Sequence, residues 1–175
     1  MRIPTIVILN IFLFVIVSAK TTFEETNVLI LEPIKKDKTV RTGLDVLIED
    51  HLNYLDGKKI GLVTNHSGVT RTGVKNYTIF QESTQIELSV IFAPEHGFYG
   101  IGDNGEKIEN SYYNESPIEI ISLHGSKKKP SNQDLNDIDI VIFDIQDVGV
   151  RFYTYLSTLH LVMEACAENN KKLII

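Results

Sequence analysis

The stretch Ile138–Ile145, "IDIVIFDI", is apolar at six of its eight positions, with only Asp139 and Asp144 interrupting. A strand with one wet face alternates apolar and polar residues; a near-continuous run of β-branched residues is what a strand buried on both faces requires. Comparable runs flank it at a distance: "KKIGLVTN" (58–65), "IELSVIFA" (86–93), the short "IEIIS" (118–122) and "KLII" (172–175). Between them lie helical patterns over Leu44–Asn53, Val74–Gln81 and about Phe152–Asn169. Strands alternating with helices predict an α/β fold, a Rossmann-like parallel sheet with helices on both faces.

The 175 residues carry a formal net charge of −6 and are 43% hydrophobic, the balance of an ordinary globular protein with a mildly acidic surface. No basic excess points to nucleic acid. Cys166 is the single cysteine, so an internal disulfide is excluded. It lies on the apolar side of "TYLSTLHLVMEACAE", where a buried structural thiol is expected.

Residues 1–19 combine Arg2, an apolar run from Ile6 to Val17 and small residues before Lys20, the pattern of a cleaved secretory signal. The run falls short of the roughly 20 apolar residues that span a bilayer. Export to the periplasm or the medium follows as an expectation. Residues 20–42 read as a linker or edge segment, and the domain proper as 43–175. Because Leu173–Ile175 open an apolar strand at which the sequence stops, the domain is expected to be incomplete and a second, C-terminal domain to be absent. Sequons occur at Asn65, Asn76 and Asn114.

Three strands run into concentrated polar chemistry. "LVTNHSG" presents Asn65, His66 and Ser67; "IFAPEHG" presents Glu95 and His96; "FDIQDVGVRFYTY" presents Asp144, Gln146, Asp147 and Arg151. In a parallel sheet the C-terminal ends of the strands share one edge, and ligands bind in the crevice outside it. Turn-forming and capping roles compete for several of these residues: Asn65 before Ser67–Gly68, Asp147 before Val148–Gly149, and Asp144 as a partner for Arg151. His124 and His160 are single histidines in apolar settings and read as core or surface residues. "SKKKPS" (126–131) reads as a solvated loop.

Gly100, Gly102 and Gly105 match the dinucleotide fingerprint G-x-G-x-x-G. That motif works only in the tight turn directly between a strand and a helix, where the pyrophosphate meets the helix N-terminus. Here Pro94–Tyr99 intervene, and "EKIENSYYNESP" has no helical period. No nucleotide is expected, and the glycines are expected to form a mobile loop over a cleft. Glu95 is the stronger signal. A carboxyl group at the end of an apolar strand is expected to be partly desolvated, which favours its protonated form and suits it to general-acid cleavage of a glycosidic bond.

"GLVTNHSGVTRTG", "FAPEHGFYGIGDNGEKI" and "DIQDVGVRFYTYLSTLHLVMEA" resemble the corresponding segments of the DUF1343 family, in order and with compatible spacing from Gly43 to Ile175. That family includes exo-β-N-acetylmuramidases of bacterial cell-wall recycling. The resemblance implies a glycosidase that releases N-acetylmuramic acid from the non-reducing end of peptidoglycan-derived muropeptides or disaccharides, in a cleft between a Rossmann-like domain and a second domain. It implies Glu95 as catalytic acid, with Asn65, His66 and His96 lining the cleft; the shared strand-end edge adds Asp144, Gln146 and Asp147 as candidate substrate contacts. Arg151, just before the helix expected at Phe152, is positioned to bind the lactyl carboxylate with help from the helix dipole. Asp144 and Asp147 are the candidates for a second catalytic group. A non-catalytic wall-fragment binder is the alternative reading. A metal site of His66, His96 and Asp144 lacks any local ligand spacing such as H-x-x-x-H, so neither metal nor cofactor is expected.

Overall fold

The computed structural model describes residues 28–29, 40–103, 109–113 and 116–175. The expected signal segment 1–19 and most of the segment 20–42 lie outside them. The elements run β1 (Val28–Leu29), α1 (Gly43–Asp50), a 3-10 turn (Leu52–Leu55), β2 (Lys58–Val63), α2 (Asn76–Glu82), β3 (Ile86–Ala93), β4 (Ser111–Tyr112), β5 (Glu119–Ser122), α3 (Asn132–Leu135), β6 (Ile140–Phe143), α4 (Tyr155–Glu168) and β7 (Lys172–Ile174).

They build one sheet in the order β1-β7-β6-β2-β3-β5-β4. All pairings are parallel except β4 with β5. From the central β2 the chain steps outward through β3 to β5, then returns to the other side of β2 for β6 and β7. The strand order therefore reverses between β2 and β6, and there the loops diverge and leave a crevice.

Each face of the sheet has its own core. On one, Leu44 and Leu47 of α1 and Phe80 of α2 pack on Ile60, Leu62, Ile140 and Ile142. On the other, Leu135 of α3 and Val162, Ala165 and Cys166 of α4 pack on Val63, Val141 and Phe143. The sequence-predicted α/β class, with helices on both faces, is what the chain forms. No helix among the described residues is long and apolar enough to cross a membrane.

Local chemistry sets the element ends. Thr42 and Asp45 form a reciprocal capping box that starts α1. The helix expected to reach Asn53 stops at Asp50, and a 3-10 turn then tucks Leu55 completely out of solvent. Ser131 and Asp134 form a second capping box, which starts α3 inside a stretch that reads as plain loop. Strand β3 carries a bulge: Ile60 pairs with Leu88 but Gly61 with Val90, leaving Ser89 as an extra residue. The bulge resets the alternation, so that Leu88 and Ile91 point to one core while Val90 and Phe92 point to the other.

Gly61 faces this register change. A Cβ there would lie 3.0 Å from Cε2 of Phe92 and 3.4 Å from Cγ1 of Val90, and Phe92 is fully buried. Gly61→Val should therefore overpack the core and lower stability by about 1–3 kcal/mol, read as a fall in the urea midpoint with an unchanged slope. An unchanged midpoint would show that Phe92 has room to move.

Candidate active site

One buried amide links the strand ends at the strand-order reversal. Asn76, the first residue of α2, is fully buried and uses both hydrogens of its Nδ2. One goes to Thr64 Oγ1 at 2.7 Å and the other to Asp144 Oδ2 at 2.7 Å. Thr64 follows β2 and Asp144 follows β6, so Asn76 ties together the two strands between which the order reverses. Thr64 Oγ1 has the carbonyls of Asp144 and Asn65 within 3.2 and 3.3 Å for its own proton. Gly68 lies against this knot, where any Cβ would overlap the Asn76 amide and the Thr64 hydroxyl. Burial raises the Asp144 carboxyl above its ordinary pKa, and the Asn76 hydrogen bond pulls the other way.

Asn65 is 2% exposed. Its Oδ1 accepts from the backbone N–H of Ser67 at 2.9 Å and from Ser67 Oγ at 2.6 Å, and its Nδ2 donates to the Tyr155 hydroxyl at 3.2 Å. The side chain thus forms the turn and supports Tyr155. His66 is exposed, and its imidazole packs against Gly100, where a Cβ would overlap the ring.

Glu95 is 8% exposed, at the mouth of β3. The Thr154 hydroxyl donates to its Oε2 at 2.6 Å. His96 has a left-handed backbone, φ 70°, a conformation that side chains other than glycine rarely adopt. It is held by a pair of bonds: Gly102 N–H to His96 O at 3.2 Å, and His96 Nδ1 with Gly102 O at 3.0 Å. Phe98 is buried, with its ring 4.8 Å from that of Tyr77 and 5.7 Å from that of Tyr113. The glycine-rich stretch expected to be a mobile cover is therefore, up to Gly102, a hydrogen-bonded turn anchored in the core. Gly105, the third glycine of the G-x-G-x-x-G match, lies outside the described residues.

The segment after β6 corrects one expectation. The helix starts at Tyr155, three residues later than Phe152, because Val150–Tyr153 close a turn with Tyr153 N–H bonded to Val150 O at 3.0 Å. Arg151 sits in that exposed turn rather than beside the helix N-terminus, and the dipole assistance expected for it is not available. Gln146 is exposed and donates to the Asp147 carbonyl at 2.7 Å. Asp147 accepts from Gly149 N–H at 2.7 Å through Oδ1, the turn-setting role, while its Oδ2 is buried without a hydrogen-bond partner among the described residues. Tyr155 lies among these groups. Its phenol is pushed up in pKa first by burial and then by its neighbours, Glu95 and Asp147 among them, against the Asn65 hydrogen bond.

The structure thus brings Asn65, Glu95, Asp147 and the start of α4 together, and ties Asp144 in behind Asn76. Thr64, Asn76, Thr154 and Tyr155 were missed by sequence reasoning. Thr154 and Tyr155 fell inside an expected helix, where they read as ordinary helical residues. Elsewhere, burial pushes the Cys166 thiol up to about 12, which suits a packing role, and His160 pairs with Glu164 on the surface at 3.2 Å. No three His, Cys, Asp or Glu side chains among the described residues group as metal ligands would. A separate cavity of about 250 Å³ lies on the α1 side of Asp144, lined by Arg41, Leu44, Leu47, Ile142 and Ile174; Glu95 is not part of it.

Comparison with known proteins bears on the same residues. The family model for the N-terminal part of exo-β-N-acetylmuramidase NamZ matches residues 60–175, a span that includes all three polar strand ends. The chain belongs to this family. The peptidoglycan β-N-acetylmuramidase NamZ of Bacillus subtilis is 42% identical over 135 residues, 77% of this chain and 32% of that protein. A crystal structure of a DUF1343 family protein from Bacteroides fragilis has a TM-score of 0.69 at 36% identity, over 77% of this chain and 33% of that one. A second from the same organism has a TM-score of 0.62 at 33% identity, over 78% and 34%. The chain thus spans about one third of the length of these NamZ-family relatives.

The Asn76 knot makes a pH-dependent prediction. A carboxyl whose folded pKa is raised contributes stability below its unfolded value and loses it as pH rises through the folded value. Asn76 favours the ionised form of Asp144, so its removal costs more once that group is ionised. Asn76→Ala should destabilise by about 1–3 kcal/mol at neutral pH and by less in acid below the ordinary carboxylate range. Equal losses in urea titrations at both pH values would show that the Asp144 bond contributes nothing.

Proposed function

We propose that this chain supplies the catalytic-acid half of an exo-β-N-acetylmuramidase, a glycosidase that releases N-acetylmuramic acid from the non-reducing end of peptidoglycan fragments. The observation that carries the reading is Glu95: a buried carboxyl at the C-terminal end of a central parallel strand, fixed by a hydroxyl and beside the crevice where the strand order reverses. The naming of the Bacillus subtilis relative as a peptidoglycan β-N-acetylmuramidase supports it.

In this reading Glu95 gives its proton to the glycosidic oxygen as the bond to the anomeric carbon breaks. Positive charge develops on the ring, and water ultimately takes the leaving group's place. The carboxylate that can balance that charge is Asp147: its Oδ2 has no partner among the described residues, and it and Glu95 both act on Tyr155. Asp144 is less suited, because its Oδ2 is held by Asn76. Arg151, exposed on the turn before α4, would meet the lactyl carboxylate as a guanidinium without the helix dipole. The His66 and His96 rings and the Gln146 amide line the approach. Such a substrate lies outside the cytoplasmic membrane, so the proposal includes export through residues 1–19.

Two measurements on the complete polypeptide test this. Glu95→Gln should lower kcat on a chromogenic β-N-acetylmuraminide by about 10²–10⁴-fold, with chelator leaving the wild-type rate unchanged; a variant that stays active removes Glu95 from the chemistry. Arg151→Ala should slow turnover of the muramyl substrate more than of the glucosaminyl analogue that lacks the lactyl group. Equal slowing of the two would refute the carboxylate contact.

A further inference from the structure

Thr154 occupies the N-cap position of α4, where a threonine side chain ordinarily accepts a hydrogen bond from a backbone N–H of the first turn. It does not do so here. Its backbone is helical, φ −97° and ψ −7°, with no side-chain cap, and its hydroxyl reaches across to Glu95 Oε2 at 2.6 Å. A 14-residue helix therefore begins without its cap so that this hydroxyl can meet a carboxyl 59 positions away in sequence. The backbone that carries this hydroxyl is held in place. The Thr154 carbonyl accepts from Thr158 N–H at 3.0 Å and from Thr158 Oγ1 at 3.3 Å, and the next residue, Tyr155, is bonded to the buried Asn65. The start of α4 is thus clamped to the ends of both β2 and β3.

We propose that Thr154 is a positioning residue for the acid: its O–H, donated to Oε2, orients the carboxyl group and stabilises the carboxylate that proton transfer leaves behind. The inference rests on the reading of Glu95 as general acid. The chemistry follows from the direction of the bond. A hydroxyl that donates to Oε2 favours the ionised form of the carboxyl. As the proton moves to the leaving oxygen, negative charge grows on the carboxyl and the Thr154 bond becomes charge-assisted, hence shorter and stronger. An interaction that strengthens toward the transition state raises kcat and leaves ground-state binding largely alone.

The test uses the complete polypeptide and two substrates, one with a poor alkoxide leaving group (a muramyl disaccharide) and one with an activated aryloxide that needs little protonation. Thr154→Val should lower kcat on the disaccharide by about ten- to a hundredfold, with KM within about twofold and a clearly smaller loss on the aryl glycoside. The alkaline fall of the rate should move to higher pH, because the variant lacks the donor that favours the carboxylate. Thr154→Ser should recover most of the rate, and Thr154→Ala, which removes the same hydroxyl with a smaller side chain, should behave as Thr154→Val should the latter fold poorly. Equal losses on the two substrates with an unmoved pH profile would overturn the proposal and leave Thr154 a packing residue. Glu95→Gln run alongside separates the levels. If it is inactive while Thr154→Val and Thr154→Ala turn over normally, only the positioning role fails; if it is active, the acid assignment fails and takes the Thr154 role with it.

Discussion

A parallel sheet that reverses its strand order sends the loops after two neighbouring strands in opposite directions, and the backbone and side-chain polar groups there have to be satisfied without closing the space between them. In this protein that constraint is met by the amide of Asn76. It is sealed from water, and its two hydrogens are shared between the hydroxyl after β2 and the carboxylate after β6. A buried amide with both donors satisfied rigidifies its surroundings, whereas one left unsatisfied would cost more than the bonds contribute. Asn65 follows directly from the end of β2 beside this knot, and its bond to Tyr155, with that of Thr154 to Glu95, links the start of α4 to the ends of β2 and β3. The absence of a side chain at Gly68 is what lets the loop after β2 pass close enough for the knot to form.

The fold was readable because its signals are local and repeated. The run at Ile138–Ile145 and its relatives can be buried only as strands between helices, and the strand at 86–93 was located to the residue. What escaped was either short or decided at a distance. The two-residue strand β4 has no periodicity to detect, whereas β1, at the sheet edge, falls in the stretch read as a linker or edge segment. Helix α3 has only one turn, although Ser131 and Asp134 spell its capping box. The start of α4 differs from the expected Phe152 because "RFYTY" is compatible with helix; what delays the helix to Tyr155 is a turn at Val150–Tyr153 and a threonine hydroxyl drawn to a distant carboxylate.

The site was legible at the level of edges rather than bonds. That three polar clusters share one edge follows from parallel topology alone, and Glu95 stands where a strand end was expected. Which polar residues face a ligand and which hold the scaffold depends on pairings between segments far apart in sequence. Asn65 and Asp147 each serve a turn through one oxygen, yet their remaining atoms differ: Asn65 braces Tyr155, while Asp147 keeps Oδ2 without a partner among the described residues. Asn76, a sequon asparagine with no motif around it, proves to be the centre of the arrangement.

The pairing of β1 with β7 bears on how the chain assembles. Val28 lies beside Leu173 and Leu29 beside Ile174, so the first of the described strands has as its neighbour a strand made some 145 residues later. Contacts this far apart in sequence form late, because the loop between them must already be compact before its closure is favourable. The strands β2, β3, β5 and β6 can assemble as the ribosome delivers them, while β1 waits with its hydrogen-bonding edge open to solvent. Until β7 has been translated, β1 has no neighbouring strand in this sheet to pair with.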